Sequence, residues 1–273
     1  MIVGGSSLGN AARATTPEAP ELQGYLAGML EAGDEWVVLE STSHGLAQQR
    51  VGEVAYDVAV LTNVTAEHLE FHGTLEAYRD AKRSLFRRLA VDAANPEKGY
   101  GKHAVLNADD DQASSFATTA RAAGAQVLQY GAVALHGADG AKAADEAMAA
   151  LDIVAVDVEE SPAGMGFAVR SDGWRGEVSL RLAGRFNVHN ALAALGVAQS
   201  LGIDLDLAAD ALGRVAAVPG RMQRVDLGQP FTVVIDYAHT AESLGKVLDE
   251  LAPAAPGAGL IAVFGSAGER DIG

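Results

Sequence analysis

A chain of 273 residues, 49% hydrophobic and with 31 glycines, is long enough for one large or two moderate domains and too apolar for a disordered or fibrous one. Its formal net charge of −16 offers no basic stripe to a nucleic-acid backbone, and no apolar run reaches the length of a membrane-spanning helix. Without cysteine there is no disulfide, thiolate metal site or cysteine nucleophile; MIVGGSSLGN lacks the basic and apolar regions of a secretory signal, so a cytoplasmic setting is expected.

In chain order, EWVVLE (35–40) reads as a buried strand leading into the polar turn STSHG. YDVAVLTN (56–63) reads as the next strand. A helix is predicted from Leu75, with Gly73 as the breaker before it and Thr74 as its N-cap. HAVLNADD (103–110) and QVLQYG (126–131) read as strands flanking an alanine-rich helix. Apolar strands alternating with helices predict a mostly parallel α/β sheet covered on both faces. From about Ile153 to Leu182 the period shortens to two, with Pro-Ala-Gly and Ser-Asp-Gly turns, which predicts a small antiparallel insert. NVHNALAALGVAQSLG (187–202) returns to helix. Near VPGRMQRV a second unit is expected to begin, with strand FTVVIDYAHT (231–240), helix AESLGKVLDEL and strand GLIAVFGS (259–266).

Three residues carry potential chemistry beyond the strand ends, where open parallel sheets collect their ligands: Glu40, His68 and Lys82. Glutamate and histidine make a plausible metal pair, although neither spacing identifies one. Taken singly, each has an ordinary reading, as a solvated glutamate, a hydrogen-bonding histidine and a lysine that snorkels to water. Lys82 is the odd one, since it shares a helical stripe with Leu75, Tyr78, Leu85 and Leu89. A desolvated amine has a larger neutral fraction, and neutral lysine can add carbon dioxide to become an anionic carbamate.

TNVTAEHLEFHGTLEAYRDAK (62–82) resembles the signature of the Mur ligases, in their tripeptide-synthetase branch. TTPEAPELQ (15–23), ESTSHGLAQQR (40–50), GRFNVHNALAA (184–194), GRMQRV (220–225), DYAHT (236–240) and VFGSAGERD (263–271) resemble that branch in the expected order. The related folylpolyglutamate synthetases usually carry an Asp-Gly-Ala-His-Asn variant where this chain has Asp236-Tyr237-Ala238-His239-Thr240. The resemblance implies an ATP-dependent ligase of peptidoglycan synthesis, joining UDP-N-acetylmuramoyl-dipeptide to an amino acid with magnesium as cofactor. It also implies a monomer that neither binds nucleic acid nor enters the membrane. Lys82 then matches the carbamylated lysine, and Glu40 and His68 the magnesium ligands. Thr15, Thr16, Thr42, Gln48 and Arg50 fall at substrate positions, and Asn187, Arg221, Asp236 and His239 at ATP positions.

The pattern breaks at the phosphate cradle. The family's glycine loop ends in Gly-Lys-Thr or Gly-Lys-Ser, and no such motif occurs here. VGGSSLGN (3–10) reads instead as an ordinary glycine turn, and Ala14 replaces an asparagine that often precedes the Thr-Thr pair. The expectation is a central ATP-binding domain over 1–218 that lacks the P-loop segment, followed by the start of a C-terminal α/β domain over 219–273. Such a fragment is expected to have little activity alone. The competing reading is a non-catalytic module of the same fold that binds a nucleotide-sugar or a partner.

Overall fold

His103–Asn107 is buried at every residue, on both faces. Only a strand covered on both sides allows that, and it marks the centre of the molecule. The computed structural model describes residues 2–7, 15–65, 69–90, 98–133, 142–143, 145–161, 164–252 and 259–265. The described elements are β1 (Ile2–Val3), β2 (Ser6–Ser7), α1 (Ala19–Glu31), α2 (Ser43–Ala47), β3 (Val58–Leu61), α3 (Leu69–His72) and α4 (Leu75–Arg87). They continue with β4 (His103–Asn107), α5 (Ala113–Ala122), β5 (Gln126–Ala132), β6 (Ile153–Ser161), β7 (Gly164–Ser171), β8 (Trp174–Leu180) and α6 (Phe186–Ser200). Last come α7 (Leu205–Arg214), β9 (Gln223–Val225), β10 (Val233–Ile235) and α8 (Ala241–Glu250).

Strands β3 to β8 form one sheet in chain order. The first four pair in parallel and the last two antiparallel. The alternating stretch expected as a small insert is thus the far half of the main sheet. Ile153 pairs with Tyr130 on one side and Ser171 on the other, so β6 carries both kinds of ladder. A register shift after Val156 bends this strand, and Asp157 takes a left-handed φ of 52° at the bulge.

Side-chain alternation sorts the core. Ala104 and Leu106 of β4 face α4 and α5, with Phe86, Leu89, Phe116 and Ala120. Val105 faces the other way, with Leu128, Tyr130 and Ile153, against Val188, Leu192 and Leu195 of α6. Gly196 lets α6 approach closely, because a Cβ there would fall 2.7 Å from Val105 Cγ1. The α4 start follows its sequence signals. Thr74 Oγ1 accepts from the Ala77 amide at 3.1 Å, and Gly73 turns the chain with a φ of 74°.

Several elements depart from the sequence expectation. Residues 35–40 join no ladder among the described residues, and Trp36, Val37 and Val38 are exposed. Residues 259–265 likewise form no strand, with Leu260, Ile261, Val263 and Phe264 exposed. Apolar, β-branched composition suits a strand only when a neighbour supplies the hydrogen bonds, and neither stretch has one among the described residues. FTVVIDYAHT shortens to Val233–Ile235, paired antiparallel with β9. Helices α1 and α7 were not anticipated, although α7 has a clear N-cap in Asp204, which accepts from the Leu207 amide at 2.9 Å.

Candidate active site

The loop carrying Thr15 and Thr16 meets α2 through a buried threonine. Thr16 is 1% exposed, and its hydroxyl lies 2.9 Å from the Glu40 carbonyl, to which it donates. The same oxygen accepts from the Thr42 amide at 3.0 Å and sits 3.0 Å from the Thr42 hydroxyl. Thr42 in turn caps α2, accepting from the Gly45 amide at 3.1 Å. Gly45 has no room for a side chain, since a Cβ would fall 2.7 Å from Thr16 Cγ2. Arg50 closes the unit, donating to the Thr16 carbonyl at 3.0 Å and pairing with Glu18 at 3.1 Å. Thr16, Thr42 and Arg50 are therefore one hydrogen-bonded unit, reached from segments more than twenty residues apart. Thr15, Gln48 and the Glu40 side chain lie exposed at its rim.

Helix α2 packs on α4 and brings a train of rings with it. His44 lies 4.1 Å from Phe71 between ring centroids, Phe71 4.8 Å from His72, and His72 5.4 Å from Tyr78. The Lys82 Nζ sits over the face of Tyr78, 5.2 Å from its centroid. Lys82 is half-buried, between the buried, desolvated amine that the carbamate reading calls for and a lysine fully in water. The deeper side of α4 is formed by Tyr78 and Phe86, so the wheel position of Lys82 falls at the edge of the apolar face. A cation over an aromatic face is stabilised by the ring quadrupole, which orients the amine without sealing it from water. His68 lies outside the described residues. Nothing about the sequence spacing singled out His44, Phe71 or His72, although FHG stands directly before the α4 cap.

Beyond the strand ends, side chains tie the sheet to its loops. Asn107 Nδ2 donates to the Thr62 carbonyl at 2.8 Å, Asp110 accepts from the Val64 amide at 2.6 Å, and Tyr130 donates to the Leu61 carbonyl at 3.1 Å. Burial, with Asp109 and Asp110 adding to it, pushes the Tyr130 phenol well above the usual range and keeps it a neutral donor. Asp109 bonds His189 of α6 at 2.8 Å and also accepts from the Ala132 amide at 3.1 Å. The sequence reading passed over this pair, whose members are eighty residues apart.

The His189 contact, opposed by burial and aided by the Ala132 amide, holds the Asp109 carboxyl below the usual aspartate range. A carboxyl depressed on folding contributes stability above its unfolded pKa, and that contribution is lost as pH falls through the folded value. Asp109→Asn is therefore expected to be less stable than the parent at neutral pH. The two should converge in acid below the ordinary aspartate range, as read from denaturant midpoints against pH. A difference that persists undiminished into strong acid would show that the contact does not depend on the carboxylate charge.

Asn187 is buried at the start of α6, donating to the Ala183 carbonyl at 2.6 Å and accepting from Asn190 at 3.1 Å. Arg221, Asp236 and His239 come together separately. Asp236 accepts from the Met222 amide and from the Ala238 amide, each at 2.8 Å. The Arg221 guanidinium lies over the Tyr237 ring at 4.8 Å, and His239 Nδ1 is 3.0 Å from the Tyr237 carbonyl. Both Asp236 oxygens are thus engaged in shaping the loop that presents Arg221 and Tyr237. Gly4 and Gly5 form the tight turn between β1 and β2, both with positive φ, and the Gly4 amide donates to Asp34. This is a hairpin turn whose amide already faces a carboxylate.

The chain matches the Mur ligase middle domain over residues 1–198 and the Mur ligase, glutamate ligase domain over 220–273. A UDP-N-acetylmuramyl-tripeptide synthetase of Roseiflexus sp. (strain RS-1) is 46% identical over 266 residues, 96% of this chain and 49% of that one. One from Treponema denticola is 37% identical over 277 residues, covering 99% of this chain and 50% of the relative. A solved UDP-N-acetylmuramoyl-L-alanyl-D-glutamate–2,6-diaminopimelate ligase aligns with a TM-score of 0.68 at 32% identity, over 86% of this chain and 43% of that chain. MurF from Acinetobacter baumannii shares the fold, with a TM-score of 0.57 at 21% identity over 72% of this chain and 37% of its own. The chain spans about half the length of the curated relatives it matches. With a family domain matched over most of its residues, the chain belongs to the Mur ligase family.

Proposed function

We propose that this chain contributes the central part of an ATP-dependent ligase that extends the peptide of a UDP-N-acetylmuramoyl precursor of peptidoglycan by one amino acid. The supporting observation is the meeting of the Thr16–Thr42–Arg50 unit with α4, where Lys82 rests on Tyr78, in a chain with 46% identity to a tripeptide synthetase. The substrate carboxylate would take the γ-phosphoryl group of ATP, and the amine of the incoming amino acid would then displace phosphate to form the amide. Thr15, Thr42, Gln48 and Arg50 would hold the UDP-muramoyl peptide, with Thr16 fixing their loop from beneath. Asn187, Arg221 and His239 would meet ATP. Asp236 would act by holding the Arg221 loop, because its oxygens are already bonded to backbone amides.

The donor chemistry fits a hard divalent cation. Glu40 offers an exposed carboxylate at the rim of the threonine unit, and a Lys82 carbamate would offer oxygen in place of an ammonium. With His68 they would hold magnesium, which neutralises phosphate charge when bound. The Tyr78 ring holds the unmodified ammonium; once converted to a carbamate, the lysine would lose that attraction and would be held instead by the cation it ligates. The division at residues 218 and 219 into a central and a C-terminal domain belongs to the same reading, as does a cytoplasmic, monomeric enzyme. Among the described residues no helix is long and apolar enough to cross a membrane.

The test is a chimaera in which this chain replaces the matched segment of the Roseiflexus relative. ADP release that requires both UDP-N-acetylmuramoyl-dipeptide and an amino acid is the expected result. A folded chimaera that binds the nucleotide-sugar without turnover would instead support a non-catalytic binding module.

A further inference from the structure

Helix α2 closes on a Schellman turn. The Arg50 amide donates to the Gly45 carbonyl at 2.8 Å, and the Gln49 amide to the Leu46 carbonyl at 3.2 Å. The pivot of such a turn is left-handed and is usually glycine, because a Cβ there crowds the neighbouring carbonyl. Here the pivot is Gln49, with a φ of 59°. Beside it in the chain stand Gln48 and Arg50, two of the proposed substrate residues. Leu46 and Val51 anchor the turn in a buried cluster, but the Gln49 side chain lies outside that cluster, exposed. A strained residue between two binding residues persists where its surroundings hold it.

The hold comes from α4. Arg88, at the C-cap of that helix, donates through Nη2 to Gln49 Oε1 at 2.6 Å and through Nη1 to the Gly52 carbonyl at 2.8 Å. One guanidinium thus bridges the side chain of the pivot and the backbone beyond it, which its planar fork of donors allows. Its base is firm, since Phe86 and Leu89 on either side of Arg88 are each 2% exposed. The turn itself is tight. The Gly52 amide donates to the Gln49 carbonyl at 3.0 Å, and a Cβ on Gly52 would fall 3.1 Å from that oxygen. We infer that Arg88 is a positioning residue: through Gln49 it holds the turn that presents Gln48 and Arg50 to the nucleotide-sugar, and it ties that turn to the helix carrying Lys82. The inference rests on the proposed role of Gln48 and Arg50, and it needs neither the carbamate nor the metal.

Calorimetric binding of UDP-N-acetylmuramoyl-dipeptide to the chimaera tests it, because binding is read with or without turnover. Arg88→Ala should weaken that binding about tenfold, the scale of the penalty on a left-handed residue other than glycine, since molecules bind in proportion to the fraction with the turn formed. ATP affinity should be unchanged. Adding Gln49→Gly to Arg88→Ala should restore most of the lost affinity, because glycine adopts the left-handed turn without a clamp. An arginine that acted by packing or by long-range charge would not be rescued from position 49. Gln49→Val keeps the arginine but resists positive φ, so it should weaken binding by a similar factor. It decides the matter where Arg88→Ala does not fold, and parent-like binding by Gln49→Val would then overturn the inference. Parent-like binding by Arg88→Ala, or no rescue by Gln49→Gly, also overturns it and leaves the ligase reading standing. A parent chimaera that does not bind the nucleotide-sugar would sink both.

Discussion

Replacing Lys82 with alanine in the active chimaera is expected to lower turnover by about 10²–10³-fold, the effect of removing one preorganised electrostatic group at a reacting centre. The expectation follows from the place of the amine, over the Tyr78 ring at the end of the ring train that begins at His44 of α2. If Lys82 acts as a carbamate, alanine removes an anionic oxygen ligand, and a short carboxylic acid supplied in solution should restore part of the rate. Arginine should be as inactive as alanine and should resist rescue, since its guanidinium fills the space and cannot add carbon dioxide. A lysine that merely snorkels predicts near-normal rates for both variants. Initial rates with and without acetate separate the two cases, and full activity in the alanine variant would end the carbamate reading.

Phe116→Ala should cost about 3–5 kcal/mol of unfolding free energy, the range for truncating an enclosed aromatic side chain. Phe116 is fully buried between α5 and the sheet, and its ring stands edge-on to Phe86 of α4 at 5.1 Å. Truncation would remove that contact and leave a void between two helices anchored to opposite ends of the β4 crossovers, with little freedom to collapse. Val38→Ala is the matched control, because a fully exposed valine loses almost no contact and should shift stability by less than about 0.5 kcal/mol. Urea titrations of the two variants give the comparison directly. Equal effects would mean that the α4–α5 face is not the cooperative core.

The features legible in the sequence are those that depend on near neighbours in the chain. The Gly73 turn, the Thr74 cap and the amphipathic start of α4 stand where expected, because capping and left-handed glycine are decided within a few residues. The unbroken burial of β4 and the two-residue period of β7 and β8 were legible for the same reason, whereas β6, expected to alternate, is buried on both faces over Ile153–Val156. The ordered motifs also carried the family, which the domain matches bear out over 1–198 and 220–273.

What the sequence could not decide is partnership. VVLE and LIAVF have strand composition, yet a strand is a property of two paired backbone segments, and neither stretch meets a ladder partner among the described residues. The antiparallel segments were visible as hairpins, but only the pairing of Ile153 with Tyr130 makes them part of the parallel sheet. Asp109 and His189 look unrelated in the chain and become neighbours because α6 crosses the ends of β4 and β5. Lys82 shows the same limit at the scale of one side chain. Its wheel position announced an apolar face, but the depth of that face depends on what packs against it, and the tertiary structure places the amine at the edge, on a tyrosine ring.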